Sequence, residues 1–185
     1  MTQILFEASS PEAIQAVKGF KEEREICRAF SYSGRLYVPN AKDSSIDSSA
    51  DIMVNGVEGE PKWLNQWIYS PKVASGGATL NVIWSAERVT GNGHKQCIQT
   101  IPVDWEGWKL VSLPLDGFVR RADEEKRLSE DKASIKSLSM LRYNVNGYRN
   151  EGGCAIWQEE SNLYIDSVWL SGSRANLVYP PQGET

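Results

Sequence analysis

The chain has 185 residues, 41% hydrophobic and 10% aromatic, with 20 Lys and Arg against 24 Asp and Glu for a formal net charge of −4. That length is about one domain's worth and buries a core without staples, and the hydrophobic fraction lies near the globular norm, which argues against disorder. The weakly acidic balance lacks the basic footprint that phosphate neutralisation demands, so nucleic-acid binding is not expected, and no apolar run approaches the ~18 residues of a membrane span.

Residues 1–7 show no basic region followed by an apolar stretch, so no signal peptide is read there. The chain is then either intracellular or an excised segment carrying an added Met, and the sequence leaves both open. The odd, widely spaced set Cys27, Cys97 and Cys154 contains no C-x-x-C pair, which disfavours zinc. Three reduced thiols are expected, with one disulfide plus a free thiol as the alternative.

In chain order, residues 4–8 read as a short strand. Ser10 is an N-cap, Pro11 suits a first helical turn, and Ala13, Ile14 and Val17 share one face of a short helix ending at Gly19. Residues 27–32 and 35–38 roughly alternate apolar and polar, as half-buried strands require, with Ser33-Gly34 as the turn between them. Residues 40–49, rich in Ser, Asp and Asn, read as a loop. Residues 63–69 and 79–85 read as two strands of an antiparallel hairpin joined by a longer loop through Gly76-Gly77.

Residues 96–103 and 109–115 follow as strands. Residues 122–134 are charged throughout and read as a solvated helix or a mobile insertion. Strand character returns at 135–145, then a Gly-rich loop at 147–153, then strands at 155–157 and 163–170. Residues 179–185 read as a linker-like tail after one domain at 1–178. Nine or ten short strands with little helix make an all-β, two-sheet antiparallel sandwich.

Two segments carry a family resemblance. Residues 105–118 hold Gly107-Trp108, Val111, Leu113-Pro114-Leu115 and Phe118; residues 162–170 hold Leu163-Tyr164-Ile165-Asp166, Val168 and Leu170. Together they resemble the galactose-binding-like jelly roll of many carbohydrate-binding modules. The stretch Trp67-Ile68-Tyr69-Ser70-Pro71 also resembles the non-catalytic N-terminal domain of chondroitin-type polysaccharide lyases. The physics of the motif is independent of kinship. Val111, Leu113 and Leu115 alternate onto one face, Pro114 suits an edge or strand end, and a bulge near Asp166-Ser167 would let Leu163, Ile165, Val168 and Leu170 face one core.

The resemblance implies a polysaccharide or oligosaccharide ligand, a covalently attached catalytic domain and an extracellular or periplasmic setting. It also implies a structural Ca²⁺ between the first and last strands, with Glu7 and Asp166 at the acidic positions and backbone carbonyls completing the shell. The other reading of Asp166 is a bulge cap held by hydrogen bonds.

Candidate ligand residues come from the side chains themselves. Trp105 and Trp157 sit in or beside polar loops, where a Trp is harder to explain as core. Gln66, Asn81, Arg142 and Asn144 are polar within strands and point to a solvated sheet face. Tyr148 joins them from the sequence cluster Arg142, Tyr143, Tyr148 and Arg149. Trp67, Trp84 and Trp108 are expected in the core. The lone His94 lies in a polar loop with no G-x-S-x-G elbow, and a glycosidase pair such as Asp104 and Glu159 carries no motif. A non-catalytic carbohydrate-binding module leads, a protein-interaction jelly roll is the alternative, and a stand-alone enzyme comes third.

Overall fold

The computed structural model describes residues 2–42, 46–87, 94–121, 123–149 and 151–175, except the side chains of Glu87 and His94. Its strands are β1 (Thr2–Glu7), β2 (Lys21–Glu23), β3 (Ser33–Val38), β4 (Ser48–Met53), β5 (Trp63–Ser70) and β6 (Thr79–Glu87). They continue with β7 (His94–Pro102), β8 (Gly107–Pro114), β9 (Val119–Arg120), β10 (Asp123–Arg127), β11 (Leu138–Val145) and β12 (Ser161–Ser171). Two one-turn helices, α1 (Pro11–Gln15) and α2 (Lys132–Lys136), interrupt them.

The strands form two antiparallel sheets. The first runs β2-β3-β12-β5-β8, with β1 beside the C-terminal half of β12; the second runs β10-β9-β7-β6-β11-β4. Facing side chains from both fill one core, including Leu36, Leu64, Ile68 and Ile165 from the first sheet and Leu80, Val82, Trp84 and Leu141 from the second. The architecture is a jelly-roll β-sandwich. The bulge falls where alternation required it. The register of β12 on β5 shifts between Ile165 and Val168, and Leu163, Ile165, Val168 and Leu170 are all buried. α1 also forms as its cap signals demand, with the Ala13 N–H donating to Ser10 Oγ at 3.1 Å and Ile14 buried. Gly19 follows at φ +102°, where a Cβ would lie 1.8 Å from the Ser49 carbonyl oxygen, so only glycine fits.

Four expectations are corrected. Residues 63–69 and 79–85 are not a hairpin: β5 belongs to the first sheet and β6 to the second. The chain between them turns a corner at the sandwich end, where Ala74 N–H donates to the Val103 carbonyl and Val103 N–H to the Ala78 carbonyl. Residues 27–32 form no strand; their apolar groups pack while the ladder is made by β2 and β3. Residues 48–53, read as loop or left unassigned, are β4, an edge strand. Residues 155–157 form no strand, although Thr79 N–H donates to the Ala155 carbonyl. The charged stretch is ordered through β10, a 3-10 turn and α2, because Leu128 within it is fully buried. The tail at 179–185 lies outside the described residues.

Candidate functional site

The pairing of β11 with β4 and β6 sets Arg142 beside Asp51 and Ile83, and Asn144 beside Ser49 and Asn81. Tyr143 points the other way, into the core. Four of the seven candidate ligand residues, Asn81, Arg142, Asn144 and Tyr148, therefore come together on the outer face of the second sheet. Their exposure differs. The loop at 146–157 folds down over part of this face, and Tyr148 packs on Ile83 and Ile98 in a small second cluster flanked by Val119 and Cys154. Asn146 anchors that loop at φ 72°, donating to the Pro39 carbonyl and accepting from the Trp157 N–H. Gly152 (φ +55°) lies against Ile98, 2.9 Å from where a Cβ would stand.

Two guanidinium–carboxylate pairs lie across the loop-covered patch. Arg142 donates from Nε to Asp51 Oδ1 at 2.7 Å and from Nη2 to Asp51 Oδ2 at 3.1 Å. Its Nη1 reaches the Tyr148 hydroxyl at 3.2 Å. Arg121 makes the matching fork with Glu151, at 2.6 and 3.0 Å, and also donates to Gln96 Oε1 at 2.6 Å. The Arg121 guanidinium carbon stands 4.6 Å from the centre of the Tyr148 ring, so the tyrosine is held between a cation and the sheet. Hydrogen bonds from Arg121 hold the Glu151 carboxyl below the usual carboxylate range. Bidentate pairs of this kind fix planar donors and acceptors in direction. Arg142 remains half-exposed and Arg121 exposed, so both can serve hydroxyl groups of a ligand.

The other two members of the group are structural. Asn144 is buried and folds its own turn, donating to Ser49 Oγ at 2.7 Å and accepting from the Gly147 N–H at 2.9 Å. Asn81 is fully buried and accepts from Thr79 Oγ1 at 2.8 Å. The remaining three candidates do not join the face. Gln66 lies between the sheets, fully buried, and accepts from the Tyr143 hydroxyl at 2.7 Å; its polarity serves an inter-sheet hydrogen bond, not a solvated surface. Trp157 is 1% exposed, with its indole N–H on the Thr79 carbonyl at 3.1 Å, and offers no stacking face. Trp105 is half-buried against the core, donates to the Gly107 carbonyl at 3.0 Å, and carries Lys109 Nζ 5.1 Å from its ring centre.

Asp51, Arg121, Glu151 and Gln96 were not among the sequence candidates. Asp51 was partly legible: Ser49, Ala50, Asp51 and Ile52 alternate polar and apolar, as a half-buried strand does. Arg121 and Glu151 are brought together across 30 positions by the loop alone.

Glu7 and Asp166 occupy the first and last strands, where the resemblance places them. Asp166 is fully buried and accepts at Oδ2 from Arg28 Nε (3.1 Å) and the Ala29 N–H (3.2 Å). Burial pushes its carboxyl upward, opposed by that amide and by Arg28. The positive charge beside Asp166 is thus a guanidinium, and Glu7 stands opposite Ser167 in the β1–β12 ladder. This arrangement does not fit a cation cage. Among the described residues no group of three or more His, Cys, Asp or Glu side chains is placed to hold a metal.

Asp104 and Glu159 each have their own lysine, Lys109 at 3.7 Å and Lys72, respectively. The His94 side chain lies outside the described residues. All three cysteines are free, Cys97 buried and the others half-buried. Burial pushes the Cys97 and Cys154 thiols up to about 11, which leaves them protonated and poor nucleophiles at neutral pH.

No protein-family model and no curated protein sequence matches the chain. Solved structures do. The chain is similar to a family 11 carbohydrate-binding module from Clostridium thermocellum in complex with a β-1,3-1,4-mixed-linked tetrasaccharide, at 13% identity, covering 95% of this chain and 98% of that one, with a TM-score of 0.61. It is also similar to the family 11 module of the cellulosomal cellulase Lic26A-Cel5E of the same organism, at 13% identity over 87% of this chain and 84% of that one, with a TM-score of 0.56. At this identity the likeness establishes the fold, the jelly roll of carbohydrate-binding modules.

Proposed function

We propose that the chain is a non-catalytic carbohydrate-binding module, working as part of a larger polysaccharide-degrading protein, and that it holds its glycan on the outer face of the second sheet. The observation that carries this reading is the pair of forks, Arg142–Asp51 and Arg121–Glu151, set either side of Tyr148 on that face. Sugar recognition needs donors and acceptors fixed in direction, because each hydroxyl both gives and accepts a hydrogen bond. Guanidiniums locked by carboxylates supply them with little ordering left to do on binding. The likeness in fold to a module seen with a tetrasaccharide supports the ligand class. The site is shallow, so affinity falls in about the micromolar to millimolar range.

Affinity electrophoresis against plant, algal and animal polysaccharides tests this. One polysaccharide class should retard the wild-type chain, and Arg142→Ala should abolish the retardation while the thermal transition stays cooperative. Absence of retardation across the panel, or full retention in Arg142→Ala and Arg121→Ala, would sink the reading and favour a protein-interaction role.

A further inference from the structure

A cleft of about 420 Å³ opens at one end of the sandwich, where β5 begins and β8 ends. It shares no lining residue with the face described above. Trp63, Pro114, Leu115 and Ile135 make its apolar walls, and Lys62, Lys132 and Lys136 line it as well. Its volume falls within the ~300–1,000 Å³ of small-ligand pockets, and its make-up, apolar walls with a few polar groups, is theirs too. The side that closes it is the charged stretch that had no other role. Leu128 anchors that stretch in the core, Asp131 caps α2 through the Ser134 amide and hydroxyl at 3.0 and 2.7 Å, and Lys136 Nζ donates to the Gly59 carbonyl across the opening. Trp63, paired with Pro114 across β5 and β8, is half-buried and presents the remainder of its indole there.

Three lysines against two carboxylates, Glu60 and Asp116, give this lining an excess positive charge on a chain whose net charge is −4. We propose that the cleft binds the end of an acidic saccharide, a uronate-bearing chain. The sugar's C–H face rests on Trp63, the lysines take the carboxylate, and Glu60 and Asp116 accept from hydroxyls. Ammonium–carboxylate hydrogen bonds are stronger than neutral ones, and at this exposed site they weaken with salt.

Titrating the ¹⁵N-labelled full chain with oligogalacturonate, in the Arg142→Ala background, removes the sheet face from the measurement and reads the cleft alone. The Trp63 indole resonance and the amides of residues 129–136 should shift. A neutral galacto-oligosaccharide should bind about tenfold more weakly or worse, as one lost charge-assisted contact implies. Lys132→Glu, at an exposed position, should weaken oligogalacturonate binding by at least as much. The proposal is overturned by unmoved cleft resonances, by equal affinity for the neutral sugar, or by a Lys132→Glu chain that binds as before. None of these outcomes bears on the sheet face, which electrophoresis of the unmodified chain and of Arg142→Ala against the neutral polysaccharides of the panel tests separately.

Discussion

The outer faces of the two sheets are both built from strands that alternate, yet they end differently. On the first sheet many of the outward positions are aromatic. Trp67, Tyr164 and Trp169 are nearly buried there, Tyr69 meets Trp108 and Tyr164 edge-on at 5.5 and 5.7 Å, and Arg28 sits 4.0 Å above the Trp67 ring while bonding Asp166. On the second sheet the outward aliphatic pair Ile83 and Ile98 is capped by Tyr148, and the groups left accessible above it are Arg142, Asp51, Arg121 and Glu151. On the first sheet the aromatics pack mostly on one another, whereas on the second fixed charged pairs stay accessible. A tryptophan count is a poor guide to where a ligand sits, because a large ring gains most by being covered.

The widest gap between the two faces should appear at the Arg28–Asp166 pair, with side chains 2% and 0% exposed. Asp166→Ala leaves a buried guanidinium without its carboxylate and should cost about 3–5 kcal/mol. Urea denaturation reads it, and a loss below about 1 kcal/mol would place the pair among surface ion pairs, which contribute little.

On the second sheet's side, Asp131→Ala should cost about 1 kcal/mol, the usual worth of an N-cap. Burial raises the Asp131 carboxyl, but the Ser134 hydroxyl and amide and Lys95 outweigh it and hold it below the usual range. A carboxyl depressed in the folded state adds stability above its unfolded pKa of about 4 and loses it as pH falls through the folded value. The gap between wild type and Asp131→Asn should thus shrink as the pH falls below about 4. A gap that stays flat on acidification would show that charge plays no part.

The smallest stability effect belongs to Tyr148→Phe. It keeps the ring on Ile83 and Ile98 and removes only the acceptor for Arg142 Nη1, about 0.5 kcal/mol, the low end for a hydrogen bond at a part-buried site. Its effect on glycan retardation should exceed its effect on stability. The reverse order would mean that the hydroxyl serves the fold and not the ligand.

Much of the fold was legible. Ser10-Pro11 announces α1, and the double apolar spacing around Asp166-Ser167 announces the bulge, because cap geometry and side-chain period are local properties. The candidate site was less so. Alternation marks Asn81, Arg142 and Asn144 as sharing a face once β6 and β11 pair, but it does not say that Asn81 and Asn144 will be buried while Arg142 stays half-exposed. Gln66 shows the opposite failure: it is polar yet inward, because Tyr143 on the facing sheet supplies the donor that makes burial tolerable.

The sequence by itself determined the all-β class, the short capped helix and the bulge, all of which depend on residues within a few positions of one another. Only the tertiary structure decided that β5 and β6 part into different sheets, that Ser129, Lys132, Ile135 and Lys136 wall a cleft, and that Asp51 and Glu151 meet their arginines. Those outcomes depend on which strands pair across tens of residues, and period-two alternation specifies the face of a strand while leaving its neighbours open.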